Sequence, residues 1–206
     1  MKNLSIIFLW IIHLSALIGI GMGYDDFFLS KSPFTVLYIA GIMLAFYNLL
    51  NSQNLIFFAT CFTTGMIVEW IGVHTGQLFG SYYYGDNLGI KVDGVPILIG
   101  INWGVLSLVT FTISQQLTGL NYLKPLIAAA LMVGLDFLLE QVCSYAGFWY
   151  FENGAGWYNY CCWFVIALGL QLLAPIFKVL GDLKTATHVY IVQLIFSFGL
   201  WMIILT

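Results

Sequence analysis

Charge is what this chain has least of. Only 7% of its 206 residues are Asp, Glu, Lys or Arg, against roughly 25% in a soluble domain. A surface so poor in charge cannot face water all round, and 61% of the residues are hydrophobic, with a mean hydropathy of +0.96. The chain therefore reads as an integral membrane protein. Arginine is absent altogether, and the six cationic residues are lysines. Phosphate recognition relies on clustered Arg and Lys, so nucleic acid is not expected as a partner. Cysteine is scarce: Cys61, Cys143, Cys161 and Cys162 lie in or beside apolar runs, and none has zinc-site spacing. The adjacent Cys161 and Cys162 raise redox chemistry, but small apolar membrane residues are the simpler reading. His13, His74 and His188 do not make a metal set. With no nucleophile elbow, P-loop or dinucleotide fingerprint, no metal and no soluble cofactor are expected. The first apolar run follows a single Lys, as a signal peptide would. It lacks a small-x-small cleavage site before Asp25, so it reads as a retained helix.

Long apolar runs are what the chain does have. A span needs about 20 apolar residues, and seven runs qualify or nearly so: 4–23, 33–50, 55–72, 96–117, 123–145, 158–180 and 186–205. Pro33 and Pro96 open two of them, at a helical position where proline loses no hydrogen bond. The expectation is an all-α, polytopic bundle of about seven transmembrane helices forming one membrane domain, 1–206. A re-entrant segment at 148–158 would change the count by one. With seven spans, Lys2, Lys124, Lys178 and Lys184 fall on the side of the N-terminus. Lys31 and Lys91 fall opposite, beside Asp25, Asp26, Asp86, Asp93 and Glu152. The lysine bias places the N-terminus in the cytoplasm of a cell-membrane protein.

The chain is organised around the stretch from Glu69 to Trp103. A neutral linker between apolar helices needs only a few polar residues. This one holds Gly72, Gly76, Gly80, Gly85, Gly89 and Gly94 and three consecutive tyrosines, 82–84. Loops of that size are usually functional. A second loop echoes it. Glu69 is followed seven residues later by Gly76 and then by Phe79-Gly80 and the tyrosines; Glu140 is followed seven residues later by Gly147 and then by Phe148-Trp149-Tyr150-Phe151. Each loop leads into a helix bearing Asn and Trp: Asn102-Trp103, and Asn159 with Trp163. Interfacial aromatic belts explain much of this composition, but belts do not require the regular glycines.

Ionisable residues inside a membrane are costly and usually functional. Three qualify: Glu69 at the outer end of the third span, and Asp136 and Glu140 in the outer half of the fifth. Spaced four apart, Asp136 and Glu140 project from one helix face. Two carboxyls so close in an apolar setting do not both ionise, which provides a general acid beside a potential base. The alternative is a set of helix-end charges hydrating the interface. Trp and Tyr around a carboxylate can also stabilise a cation through their π faces. His74, in the focal loop, is a candidate to join the site, whereas His13 and His188 read as packing or interface residues.

At these residues the chain resembles the CruF-type carotenoid biosynthesis proteins, membrane carotenoid 1,2-hydratases that include the bisanhydrobacterioruberin hydratases. The matching block is Glu69-x-x-Gly72-Val73-x-Thr75-Gly76-x-x-Phe79-Gly80-x-Tyr82-x-Tyr84, then Leu88-Gly89, Gly94-Val95-Pro96 and Trp103. A second block matches at Asp136, Glu140, Phe148-Trp149, Asn159-Tyr160 and Trp163, so the resemblance covers about residues 60–170. Gln141 stands where the family usually has Pro, and Gly-Trp-Tyr stands where the family has a Pro-containing segment before the Asn.

The resemblance implies cofactor-independent hydration of the terminal isoprenoid double bond of an acyclic carotenoid end group, giving a tertiary alcohol. The substrate would come from the bilayer, in contact with membrane lipid, and association with other carotenoid-pathway enzymes is expected. The roles it suggests are Asp136 or Glu140 as acid and Glu69 as partner or base. Tyr82, Trp103 and Trp149 would face the cation and Asn159 would position water, with Tyr84, Trp163 and His74 completing the substrate contacts. A carotenoid end-group cyclase or another prenyl-lipid enzyme would use the same protonation. A seven-helix permease or binding protein is the reading from another class. It would favour broken helices at the midplane of related repeats, whereas here the polar residues gather at one membrane face.

Overall fold

The computed structural model describes residues 1–206. Its helices are α1 (Lys2–Gly21), α2 (Asp25–Leu29), α3 (Ser32–Phe46), α4 (Ser52–Thr75), α5 (Ile97–Leu117), α6 (Leu123–Glu140), α7 (Trp157–Leu173) and α8 (Leu183–Ile204). Each of the seven apolar runs contains one long helix, and the five-residue α2 is an addition. Five segments are long and apolar enough to cross a membrane: α1, α2–α3 read as one run (Asp25–Phe46), α4, α5 and α8. The apolar α7 has 17 residues, and α6 has 18 but carries Lys124, Asp136 and Glu140.

Two expected runs end early. Ala174 still has helical dihedrals, but Pro175 after it has no N–H to donate back into the helix, and α7 stops at Leu173. After α6 the chain passes through turns to Gly147, whose φ of 67° is left-handed. Polar side chains define two helix starts: Asn51 accepts from Gln53 N at 2.9 Å to open α4, and Asp182 accepts from Thr185 N at 2.7 Å to open α8.

The centre of the bundle is α5. Of its most apolar window, 72% is buried, against 22–28% for the other four spanning segments. Those helices turn Leu, Ile and Phe outward instead, for example Leu4, Ile7, Phe8, Ile11 and Ile18 on α1. Such a contiguous apolar exterior suits lipid. Small residues let α4 and α5 approach closely. A Cβ on Gly65 would lie 2.5 Å from Trp103 Cγ, and one on Gly104 would lie 2.5 Å from Phe58 Cδ2. Buried polar groups cross-link the bundle: Gln171 Nε2 donates to Ser107 O at 3.0 Å, and Asn54 Nδ2 to Leu180 O at 2.7 Å.

The two aromatic loops are where the structure departs from an all-helical reading. They contain strands β1 (Tyr82–Tyr84), β2 (Lys91–Val92), β3 (Val95–Pro96) and β4 (Trp149–Phe151). β1 pairs antiparallel with β4 in the register Tyr82↔Phe151, Tyr83↔Tyr150 and Tyr84↔Trp149. The echoing loops are thus hydrogen-bonded to each other, and 149–151 is a strand rather than part of a re-entrant helix. Gly85 N donates to Phe148 O at 2.9 Å, and Glu152 N to Ser81 O at 3.1 Å, closing the ribbon at both ends. β2 and β3 form a hairpin turning at Asp93-Gly94, both with positive φ, as two-residue hairpin turns require. Lys91 Nζ donates to Tyr84 O at 2.8 Å and to Asp86 Oδ1 at 2.9 Å, and this lysine holds the exposed Asp86 carboxyl below its ordinary range.

Gly85 is where the two loops touch most closely. A Cβ there would collide with the Gly147 carbonyl oxygen and lie 2.9 Å from its carbon. Backbone cannot swing aside as a side-chain tip can, so Gly85→Ala is expected to destabilise by about 1–3 kcal/mol, the usual range for overpacking. A thermal melt in detergent measures this; an unchanged midpoint would mean that the β1–β4 contact contributes little.

Candidate active site

The β1–β4 ribbon roofs a cavity enclosed by α4, α5, α6 and α7. Strand alternation aims Tyr82 and Tyr84 into it while Tyr83, more than half exposed, stacks outside on Tyr150 at 5.2 Å. Glu69 comes from the last two turns of α4, Trp103 from the second turn of α5, Asp136 and Glu140 from the end of α6, and Asn159 and Trp163 from the start of α7. Left-handed glycines let the chain leave α4 and the turns after α6: Gly76 (φ 64°) and Gly147 (φ 67°), each seven residues beyond its glutamate.

The three carboxyl groups are not equivalent. Glu69 Oε2 accepts from Tyr82 OH at 2.6 Å and Tyr84 OH at 2.7 Å, and Oε1 accepts from Trp103 Nε1 at 3.2 Å. Glu140 Oε2 accepts from Trp149 Nε1 at 3.0 Å, and Oε1 from Asn159 Nδ2 at 3.2 Å. These five donors, and Cys143 Sγ at 3.6 Å from Glu140 Oε2, aim hydrogens at carboxylate oxygens, an arrangement that suits anions. Burial pushes the Tyr82 and Tyr84 phenols up, and the charge of Glu69 adds to it, so both remain protonated donors. Asp136, 3% exposed, is different: its Oδ2 is buried with no partner, and so is Asn159 Oδ1. Both residues line the cavity. A buried polar atom without a partner calls for a proton, a water or a ligand.

Aromatic faces complete the enclosure. Trp103 and Trp163 stack with centroids 4.0 Å apart and planes 10° from parallel. Tyr82 packs on Phe151 at 5.2 Å, and Tyr84 meets Trp149 edge-on at 6.1 Å. The cavity measures about 30 Å³, room for about two waters at the ~10–15 Å³ each needs.

Nine of the ten residues singled out from the sequence line this one cavity: Glu69, Tyr82, Tyr84, Trp103, Asp136, Glu140, Trp149, Asn159 and Trp163. His74 stands apart. Its Nδ1 bonds Trp70 O at 2.9 Å, and its Nε2 lies 3.5 Å from Asp93 Oδ2 at the exposed hairpin turn. At position 74 it sits five residues past Glu69, off the face that the glutamate presents to the cavity. Asn102, Phe79 and Phe151, which belong to the loop motifs but were given no site role from the sequence, also line the cavity. Ile99, Asn102, Trp103 and Leu106 follow the i, i+3, i+4, i+7 pattern of one helix face, which was the available signal for Asn102. No group of three or more His, Cys, Asp or Glu side chains is arranged to hold a metal ion.

Fold and site together define a helical membrane protein with a buried, aromatic-roofed carboxylate centre. A family model described as carotenoid biosynthesis protein matches residues 31–206, and the chain belongs to that family. The match takes in α3 to α8 and every residue of the cavity. No curated protein and no solved structure matches the chain.

Proposed function

We propose that the protein hydrates the terminal C1,2 double bond of an acyclic carotenoid ψ end group, giving a tertiary alcohol. The observation that carries this reading is the unpartnered Asp136 oxygen on a cavity whose other two carboxylates are held by donors alone. Asp136 is then the acid. Its Oδ2 proton adds to the less substituted alkene carbon; the π electrons form that C–H bond and leave a tertiary cation. The Trp163–Trp103 stack and the Glu69 and Glu140 anions stabilise the charge in a site without bulk water. A water whose hydrogens point to Asn159 Oδ1 and to Glu140 adds its oxygen to the cation, and Glu140 takes the released proton. Return of that proton from Glu140 to Asp136, one helical turn away, restores the site. One water is added and no electrons are exchanged. A polyene dissolves in the bilayer, which accounts for an enzyme embedded there.

Membranes containing the protein are expected to convert an acyclic ψ-end carotenoid into a product heavier by one water, with oxygen drawn from solvent. Incubation in ¹⁸O-water with mass spectrometry tests this. Label from O₂ instead would mean an oxygenase, and an isomer with no added mass would mean a cyclase using the same proton.

All seven long helices are proposed to cross the cell membrane, with the N-terminus cytoplasmic and the cavity towards the outer face. Lys2 pairs with Asp182 at 2.5 Å and Lys184 donates to Asn3 at 3.0 Å. These contacts gather the starts of α1 and α8 at one lysine-bearing end, the positive side of the charge bias. Reporters fused after Thr206 and within 85–93 are both expected to read as extracytoplasmic. A cytoplasmic signal from 85–93 would reverse the orientation.

A further inference from the structure

A second cavity of about 120 Å³ lies against the first. The two share Ile99, Asn102, Leu139 and Trp149, so these side chains are a common wall. The second cavity extends among α1, α2, α3 and α8, through Ile12, Ala16, Phe28, Val36, Ile39 and Phe196. Three of its six polar side chains are turned back on local backbone. His13 Nδ1 bonds Leu9 O at 2.8 Å, Ser32 Oγ donates to Leu29 O at 2.7 Å, and Gln193 Nε2 donates to Val189 O at 3.0 Å. Ser197 Oγ alone is buried without a partner. The surface offered to a guest is therefore chiefly hydrocarbon and aromatic.

We propose that this second cavity is the subsite for the polyene chain of the substrate whose end group reaches the carboxylates. The inference rests on the hydration reading for the identity of the end group. The size contrast requires such a subsite: the carboxylate cavity, with room for about two waters, cannot hold a long isoprenoid, so the body of the chain lies elsewhere. The adjoining space is four times larger, apolar, and separated from the acid only by the shared wall. A chain lying there enters the site past Ile99 and Leu139, between Asn102 and Trp149. The substrate class this selects is an extended, acyclic-ended isoprenoid threaded lengthwise. The outer walls are helices whose far sides carry the lipid-facing residues of α1 and α3, so the chain need never cross water.

The test separates binding from turnover. Asp136→Asn protein, which lacks the proposed acid, is purified from a lycopene-producing host, and bound pigment is read from its visible absorbance per mole of protein. Adding Ala16→Trp, which fills the second cavity, is expected to lower retained lycopene at least tenfold. Ala45→Trp on the exposed side of α3 serves as the control and is expected to leave it unchanged. Undiminished pigment in the Ala16→Trp protein would overturn the proposal. Should that variant misfold, Ala16→Cys makes a smaller change. Bound lycopene is expected to slow maleimide labelling there, over the wild-type cysteine background, and equal labelling with and without pigment would also overturn it. Ala16-dependent pigment binding in a protein whose product gains no water would sink the hydration reading and leave the subsite standing.

Discussion

Asp136→Asn is expected to reduce turnover by 10²–10⁴-fold, the typical contribution of a general acid, or roughly 3–5 kcal/mol of barrier. The amide keeps the shape of the side chain and brings an NH₂ donor to a cavity that also holds the unpartnered Asn159 Oδ1. What it cannot do is surrender a proton to an alkene. The site is otherwise intact in this variant, because Glu69 and Glu140 draw all their hydrogen bonds from other residues. Membrane insertion, expression and melting temperature are therefore expected to stay near wild type, and the loss to appear in kcat. Near-full activity in a well-expressed Asp136→Asn protein would remove Asp136 from the acid role and turn attention to Glu140. It would also mean that an unpartnered carboxyl oxygen facing the cavity is a packing outcome rather than a chemical one.

The carboxylate centre was legible in the sequence because its signals are local. Asp136 and Glu140 share a helix face by spacing alone, and the glutamate-to-glycine interval of seven repeats in both loops; the strand that gives Tyr82 and Tyr84 a common face was not foreseen in an all-α reading. The helices themselves followed from apolar length. What sequence could not supply was long-range pairing. Nothing local in Tyr82-Tyr83-Tyr84 says that its partner is Trp149-Tyr150-Phe151 rather than solvent. Register is decided by which aromatic faces pack and by the close approach at Gly85, and both depend on how α4 to α7 are arranged. His74 shows the opposite failure. Its expected place in the focal loop suggested a shared site, but His74 lies in the last turn of α4, where it packs against Trp70 with rings tilted at 4.7 Å, and both point to Asp93. Helix ends were blurred for a similar reason. Apolar composition continues past Glu140 and Leu173, while Gly147 and Pro175 set where the backbone turns. The second cavity had no sequence signature, since its lining residues come from six helices and loops and look like ordinary membrane residues.

The second large effect is expected at Glu69, where one position separates a structural from an electrostatic role. Three donors converge on this carboxylate: Tyr82 OH, Tyr84 OH and Trp103 Nε1. Replacing it by leucine leaves Tyr84 OH and Trp103 Nε1 buried without an acceptor, and Tyr82 OH with only its 3.3 Å contact to the backbone carbonyl of residue 69. Each such orphaned group costs about 1–3 kcal/mol, so Glu69→Leu is expected to lose several kcal/mol and to yield little folded protein. Glu69→Gln behaves differently. The amide oxygen still accepts, and its NH₂ can donate to a tyrosine hydroxyl turned to receive it, so the melting temperature is expected to fall only slightly. The negative charge is gone, however, and with it one of the two anions proposed to face the cation between protonation and water capture. Losing one preorganised electrostatic contact of this kind costs about 10²–10³ in kcat. Thermal melts of the two variants, read beside kcat for Glu69→Gln, make the distinction. A Glu69→Gln protein that is both stable and fully active would show that Glu69 only anchors the tyrosines of β1 against α4. A stable but inactive one fits a carboxylate whose charge the cationic transition state requires, and Tyr82→Phe then falls between the two, because it removes one donor while leaving the anion in place.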